Sequence, residues 1–124
     1  MLGARGIVSE YRWAWDVQTI VDALLSVGPV VVGLDWYSSM FSPRKVPDAM
    51  GTYRSTLVIA DDAVVSGGHA FVLNGVNTDA RMVRMKNSWG LGWAVGGRSS
   101  MSFDTLDRLL NDGGDACIAV QRRG

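Results

Sequence analysis

The sequence has little of what several classes of protein need: one cysteine, one histidine, no net charge and no long apolar run. One cysteine cannot form an intramolecular disulfide, so the chain does not require an oxidising compartment. Twelve basic and twelve acidic residues cancel, which excludes a net field that would attract nucleic acid or anionic membranes. No stretch reaches the roughly 18 apolar residues of a membrane span, and residues 1–8 lack the apolar core of a signal peptide. We expect a cytoplasmic protein that binds neither nucleic acid nor membranes.

Metal and cofactor sites also have few candidate ligands. His69 and Cys117 leave no cluster of metal ligands at useful spacing, and none of the glycine-rich segments has the spacing of a phosphate-binding loop. We therefore expect neither a metal nor a cofactor. What the chain does have is 124 residues that are 48% hydrophobic, enough for one core, and no linker or repeat. We predict a single domain over residues 1–124.

The N-terminal part of the chain has clear helix and strand signals. Apolar residues recur at i, i+3, i+4 and i+7 within residues 17–27, which predicts an amphipathic helix with Asp16 as its N-cap. Gly28 and Pro29 end this helix, because glycine suits a C-cap and proline cannot continue the helical hydrogen bonding. Residues 30–34 are β-branched and almost continuously apolar, which predicts a strand buried on both faces.

The middle of the chain combines an irregular segment with a hairpin. Residues 42–68, broken by prolines and glycines around a strand-like stretch at 55–59, predict a long surface excursion, either a binding loop or a solvated connection. Two strands then follow, joined by a turn at residues 77–79. This hairpin would place His69 and Asn87 near the same end of adjacent strands.

The C-terminal part adds a strand at residues 98–101, a helix capped by Ser102 and a closing strand at 116–120. Together with the preceding elements, this order predicts the α+β class, a mixed domain built on an antiparallel sheet.

His69 and Asn87 are the residues best suited to chemistry. An imidazole gains and loses a proton near neutral pH, which suits a general base. A neighbouring amide oxygen can accept the other ring N–H and fix the tautomer, and an indole such as Trp89 or Trp93 can cover that bond from water. A lone histidine is more often structural, so the ordered combination with Asn-Ser-Trp-Gly at residues 87–90 is what indicates a site.

These motifs resemble the C-terminal half of the papain-like cysteine peptidases. The likeness begins at Gly-Pro-Val, residues 28–30, and continues through Gly-Gly-His-Ala at 67–70 and Asn-Ser-Trp-Gly at 87–90. Residues 11–15 and 36–41 are similar to bacterial and phage branches of the family. The resemblance implies a papain-like half-domain, an antiparallel sheet forming a partial barrel with two or more flanking helices. It also implies that His69 is the base, Asn87 its orienting amide and Trp89 the cover of their hydrogen bond.

The chain departs from the family pattern where the nucleophile should be. The family's nucleophilic cysteine and oxyanion glutamine belong to an N-terminal half, and no equivalent of either can be placed here; Ala94 also stands where glycine is usual. In adenovirus-type proteases the catalytic histidine precedes the cysteine, as His69 precedes Cys117 here, but Cys117 lies in an apolar strand rather than at a helix N-terminus or beside a cation. We predict that Cys117 is a small buried hydrophobe. Ser66 and Ser88 lack the strand-to-helix elbow of a serine nucleophile.

Two functions fit these observations. The first is a catalytically inactive half-domain that acts as an interaction protein. An isolated half exposes the apolar wall that normally contacts the other half, so we predict a homo-oligomer or a protein partner at the face carrying His69. The alternative is a cysteine peptidase completed in trans by a partner chain that supplies the nucleophile, or one truncated from a longer enzyme.

Overall fold

The structure is a computed structural model that describes residues 7–47 and 53–123. These residues form eight strands, two α-helices and one short 3-10 helix. In chain order the elements are β1 (Ile7–Ala14), α1 (Val17–Ser26), β2 (Val30–Tyr37), the 3-10 helix (Ser38–Phe41), β3 (Arg44–Pro47), β4 (Tyr53–Thr56), β5 (Val65–Asn77), β6 (Met82–Lys86), β7 (Arg98–Ser102), α2 (Phe103–Asn111) and β8 (Asp115–Arg123).

The eight strands belong to one open sheet in the order β1-β8-β2-β5-β6-β7-β4-β3. Neighbouring strands are antiparallel, except that β4 and β7 are parallel and meet at Thr56 and Ser100. The α+β class on an antiparallel sheet with two flanking helices is therefore confirmed. Neither α-helix in the described ranges is long and apolar enough to cross a membrane.

The sheet buries one of its faces in the core. Along β2 the side chains of Val30, Val32 and Leu34 are buried, whereas Val31 is 48% exposed. The prediction that this strand is buried on both faces is wrong. An apolar run is buried on both faces only when each face is covered, and the buried side chains of α1 and α2 join the same core cluster as β2.

Both α-helices begin at side-chain caps, as predicted. The Asp16 carboxylate accepts the Thr19 backbone N–H at 2.7 Å and the Thr19 hydroxyl at 3.1 Å. These hydrogen bonds, the backbone one first, lower the pKa of Asp16, because they favour the charged carboxylate. At the start of α2 the Ser102 hydroxyl accepts the Thr105 backbone N–H at 3.1 Å.

Residues 42–68 contain more regular structure than the sequence predicts. The strands β3 and β4 pair with each other, Leu57 after β4 is buried, and β5 begins at Val65, so residues 66–68 belong to a strand. The prediction of one long surface excursion is wrong here, because β3 and β4 consist mostly of charged and polar residues and lack the apolar alternation by which a strand is recognised. The sequence also did not predict β1, whose residues 11–13 are exposed and mix aromatic with charged side chains.

Candidate functional site

His69 and Asn87 meet beside the β5–β6 hairpin. His69 lies in β5 and pairs with Leu34 of β2, and Asn87 directly follows β6. The Nε2 atom of His69 and the Oδ1 atom of Asn87 are 2.9 Å apart, which is a hydrogen-bond distance. Asn87 is 4% exposed, so its end of this bond is shielded from water. The fold thus brings together the two residues singled out in the sequence.

The hydrogen bonds of Asn87 determine the tautomer of His69. Oδ1 of Asn87 also accepts the backbone N–H of Ser88 at 2.9 Å, which assigns it as the amide oxygen. An amide oxygen only accepts, so Nε2 of His69 carries a hydrogen and donates it. In the neutral ring, Nδ1 then has the free lone pair. The pair therefore holds His69 in a form that can take up a proton at Nδ1.

His69 is set into an aromatic cluster of five side chains: Trp36, Phe41, Phe71, Trp89 and Trp93. Trp89 stacks on the imidazole, with ring centroids 4.9 Å apart and 28° between the planes. Trp36 meets the imidazole edge-on at 4.8 Å. Trp89 is 41% exposed, whereas Trp36 is 3% exposed. Trp89, the cover predicted from the sequence, lies on the solvent side, and Trp36 forms the inner wall.

Trp36 is the site residue that sequence reasoning missed. Its indole contacts the four other members of the aromatic cluster as well as His69. The signal available was its position, two residues after Leu34 in a strand, which places both side chains on the same face. A small cavity of about 120 Å³ lies against this indole and is lined by Trp36, Phe41, Ser66, Gly67, Gly68, His69 and Trp89.

The loop after Asn87 is held in place by a hydrogen bond from a side chain to the backbone and by a close approach of two backbone segments. The Trp93 indole N–H donates to the Phe41 carbonyl at 3.2 Å. A Cβ atom on Gly97 would lie 2.9 Å from the Gly90 carbonyl oxygen, so glycine is required for this close approach. Ala94 has a φ of 51°, in the left-handed region. An alanine costs about 1–2 kcal/mol there, which gives a physical reason for the glycine that the resemblance leads one to expect.

Cys117 lies on the other face of the sheet from His69. Side chains alternate along a strand, and residues paired across strands share a face. His69 pairs with Leu34 on the buried face. Cys117 pairs with Val31, three residues from Leu34 and therefore on the opposite face. The thiol points away from the imidazole, and it is partly exposed rather than fully buried as predicted.

The two serines near the site are poorly placed for nucleophilic attack. Ser66 lies within β5 and Ser88 in the loop after β6, and neither occupies a strand-to-helix turn. No group of three or more potential metal ligands lies together within residues 7–47 and 53–123.

Two buried N–H groups at the site lack a hydrogen-bond partner among the described residues: Trp36 Nε1 and Asn87 Nδ2. Most buried donors in folded proteins are bonded to protein or to ordered water, so groups of this kind are few.

Comparison with known proteins identifies the fold. No protein-family model and no curated protein matches the chain. Among solved structures, xylellain, a cysteine protease from Xylella fastidiosa, is similar, with a TM-score of 0.68 and 21% identity over 90% of this chain. The chain has the papain-like fold. Procathepsin L2 from the larval midgut of Tenebrio molitor (TM-score 0.55, 20% identity, 89% of this chain) and procathepsin B S9 from Trypanosoma congolense (0.59, 14%, 94%) are similar too.

The papain-like chain is much shorter than these proteins. It covers 39% of xylellain, 33% of procathepsin L2 and 36% of procathepsin B S9. Coverage of this kind is consistent with the predicted C-terminal half of the papain-like fold. The recognition made from the motifs is confirmed at the level of the fold, and the roles of His69, Asn87 and Trp89 stay predictions.

Proposed function

We propose that this chain is a catalytically inactive papain-like half-domain that binds another polypeptide through the surface around His69. The observation that carries the proposal is the orientation of Cys117. A cysteine peptidase needs its thiolate within hydrogen-bond reach of the imidazole. The chain has one cysteine, and its side chain faces away from His69.

The surface beside His69 supports a protein partner. Phe41 and Trp89 stack with centroids 5.6 Å apart and planes 6° apart, and both side chains are about half exposed. Leu91, in the same loop as Trp89, is almost fully exposed. Aromatic anchors held rigidly at a surface are typical of protein interfaces. The occupant is a second copy of this chain or a different polypeptide.

Association is tested by light scattering coupled to size-exclusion chromatography over a range of concentrations. We expect a dimer or larger assembly, or a stable complex with an added partner, and loss of that species in Trp89→Glu. Leu25→Glu is the matched control, because Leu25 is also a large, exposed apolar residue but lies on α1. A chain that stays monomeric at high concentration and binds no partner contradicts the proposal.

Inactivity is tested with fluorogenic peptides and a thiol-reactive peptide probe. The purified chain should give neither turnover nor labelling directed by the site. Turnover that disappears in His69→Ala would show that the site is catalytic as it stands.

A second candidate function is a cysteine peptidase completed in trans. The bond between His69 and Asn87 favours it, because the pair leaves Nδ1 of His69 ready to accept a proton from a thiol supplied by another chain. The test is to add a papain-like N-terminal half that carries a helix-opening cysteine. Activity that appears only in the mixture and requires His69 supports this function, and binding without activity supports the inactive half-domain.

A further inference from the structure

We propose a binding site for a small oxyanion, a phosphate or a carboxylate, centred on Arg84 and separate from the surface around His69. A cavity of about 610 Å³ lies between the end of the β5–β6 hairpin and β4. This volume falls within the range of small-molecule sites. None of the residues that line it belongs to the aromatic cluster.

Strand register places complementary groups on one face of the sheet, in this cavity and beside it. A row of paired residues crosses β3, β4, β7, β6 and β5, and it consists of Arg44, Thr56, Ser100, Arg84 and Gly75. Paired residues share a face of the sheet. Two guanidinium groups therefore flank two hydroxyl groups on one face, and the row contains no acidic residue. Arg44 lies outside the lining of the cavity, and the Ser100 hydroxyl donates to the Ser55 carbonyl at 2.8 Å.

The Arg84 side chain is held in position by a β-bulge. The register of β5 shifts between Leu73 and Gly75, where Asn74 is the additional residue. The Asn74 Oδ1 atom accepts a hydrogen bond from Arg84 Nε at 3.3 Å. A Cβ atom on Gly75 would lie 3.0 Å from Arg84 Nη2, so the guanidinium group lies directly over the glycine.

This arrangement leaves the outer part of the guanidinium group for a ligand. Among the described residues, Asn74 is the only hydrogen-bond partner of the Arg84 side chain, and it uses Nε. The two Nη atoms can then donate in parallel to two oxygens of one phosphate or carboxylate. Because the side chain is already ordered, less conformational entropy is lost on binding.

The lining of the cavity provides a further hydrogen-bond donor and an apolar side chain. Asn77 Oδ1 accepts the Ala80 backbone N–H at 3.0 Å, which leaves its amide N–H groups for a ligand. Met82, two residues from Arg84 and on its face, contributes an apolar side chain to the lining. It fits an organic anion with a small apolar body.

Neighbouring charges raise the potential of the same face. Lys86 and Arg98 are directly opposite each other in the β6–β7 pair, and both are exposed. Like charges at opposed positions destabilise a sheet, and a bound anion offsets this repulsion. Lys86 lies two residues from Arg84 and so on its face.

The test is a titration of the isotope-labelled chain with inorganic phosphate and, separately, with citrate, followed by NMR at one fixed ionic strength. We expect saturable shifts of the Arg84 Nε–H signal and of the Gly75, Asn77 and Ser100 amides. Tighter binding of phosphate assigns a phosphate ligand, and tighter binding of citrate assigns a carboxylate. Arg84→Lys keeps the charge but loses the two-pronged geometry, and should weaken binding about tenfold or more.

Two further variants keep the outcome interpretable. Gly75→Ala should displace the guanidinium group and weaken binding without removing a charge. Arg12→Gln removes an exposed arginine on β1, outside the cavity, and should leave binding unchanged. Shifts that do not saturate, or an equal loss in Arg12→Gln and Arg84→Lys, would show general attraction by charge and overturn the proposal.

Discussion

His69 and Cys117 lie two strands apart in one sheet, and their surroundings are opposite. His69 is on the buried face, bonded to Asn87 and enclosed by the aromatic cluster. Cys117 is on the other face, where its cross-strand neighbours Trp13 and Val31 are both exposed. A shift of one residue along β8 would reverse the face on which the thiol lies. The presence of a cysteine and a histidine in a sequence therefore says little about catalysis. Whether their side chains lie on the same face of the sheet decides whether they can react together.

The largest expected difference between the two surroundings is in stability. Trp36→Ala removes the inner wall of the His69 site and should lower the free energy of unfolding by about 3–5 kcal/mol, because it leaves a cavity in the core. Trp13→Ala, next to Cys117, should lower it by about 1 kcal/mol or less, since that side chain is exposed. Urea unfolding measures both. If Trp36→Ala does not fold, Trp36→Phe replaces it in the comparison. Equal losses of unfolding free energy in the Trp36 and Trp13 variants would show that the two surroundings do not differ in stability.

The hydrogen bond between His69 and Asn87 should contribute a smaller amount. Asn87→Ala should lower the free energy of unfolding by about 1–3 kcal/mol, because it breaks a partly buried bond. It should also allow the hydrogen of His69 to move between Nε2 and Nδ1, which nitrogen NMR of the ring detects. Asn87→Asp keeps an acceptor and should preserve the Nε2–H form. An unchanged tautomer in Asn87→Ala would contradict the assigned bond.

A substitution far from His69 and Cys117 gives a reference value for the loss of stability. Asp16→Ala removes the N-cap of α1 and should cost about 1 kcal/mol or less, because the carboxylate is exposed and water screens it. The pKa of Asp16 is lowered from its ordinary value of 3.8, so the folded state binds the proton less readily than the unfolded state. The ionised carboxylate therefore contributes its full stabilisation at pH values above 3.8. This stabilisation is lost as the pH falls through the lower pKa of the folded state.

Urea unfolding measures the effect of this cap when it is compared at neutral pH and at a pH low enough to protonate Asp16. Asp16→Asn should retain much of the capping and lose the pH dependence, since asparagine accepts the same hydrogen bond without a charge. The same pH dependence in both proteins would mean that another group is responsible.

The smallest expected effect is on the reactivity of Cys117. Its alkylation by iodoacetamide, followed by mass spectrometry, should proceed at the same rate in the natural chain and in His69→Ala, because the imidazole cannot reach a thiol on the opposite face. Cys117→Ser identifies any label on other residues. A clear slowing of alkylation in His69→Ala would mean that the two side chains do communicate, and the assigned faces would be wrong.

Local signals predicted the local parts of this structure. The caps at Asp16 and Ser102, both helices and the β5–β6 hairpin depend on residues close in sequence, and each is where the sequence placed it. The meeting of His69 and Asn87 follows from the hairpin alone.

What the sequence did not predict depends on distant partners. The strand β1 is stabilised by β8 at the other end of the chain, and β3 and β4 are short strands that join the sheet through one parallel contact. Trp36 acquires its importance from aromatic residues in β5 and in the loop after β6. The exposure of Val31 depends on which face the helices cover. No pattern within a few residues contains this information.

The pairing of Ile7 with Arg123 has a consequence for the order of folding. Among the described strands β8 is the one neighbour of β1, and nearly all of the described residues lie between the two strands. Contacts between residues so far apart form slowly, because a long loop must close first. The pairing of β1 with β8 should therefore form after local units such as the β5–β6 hairpin.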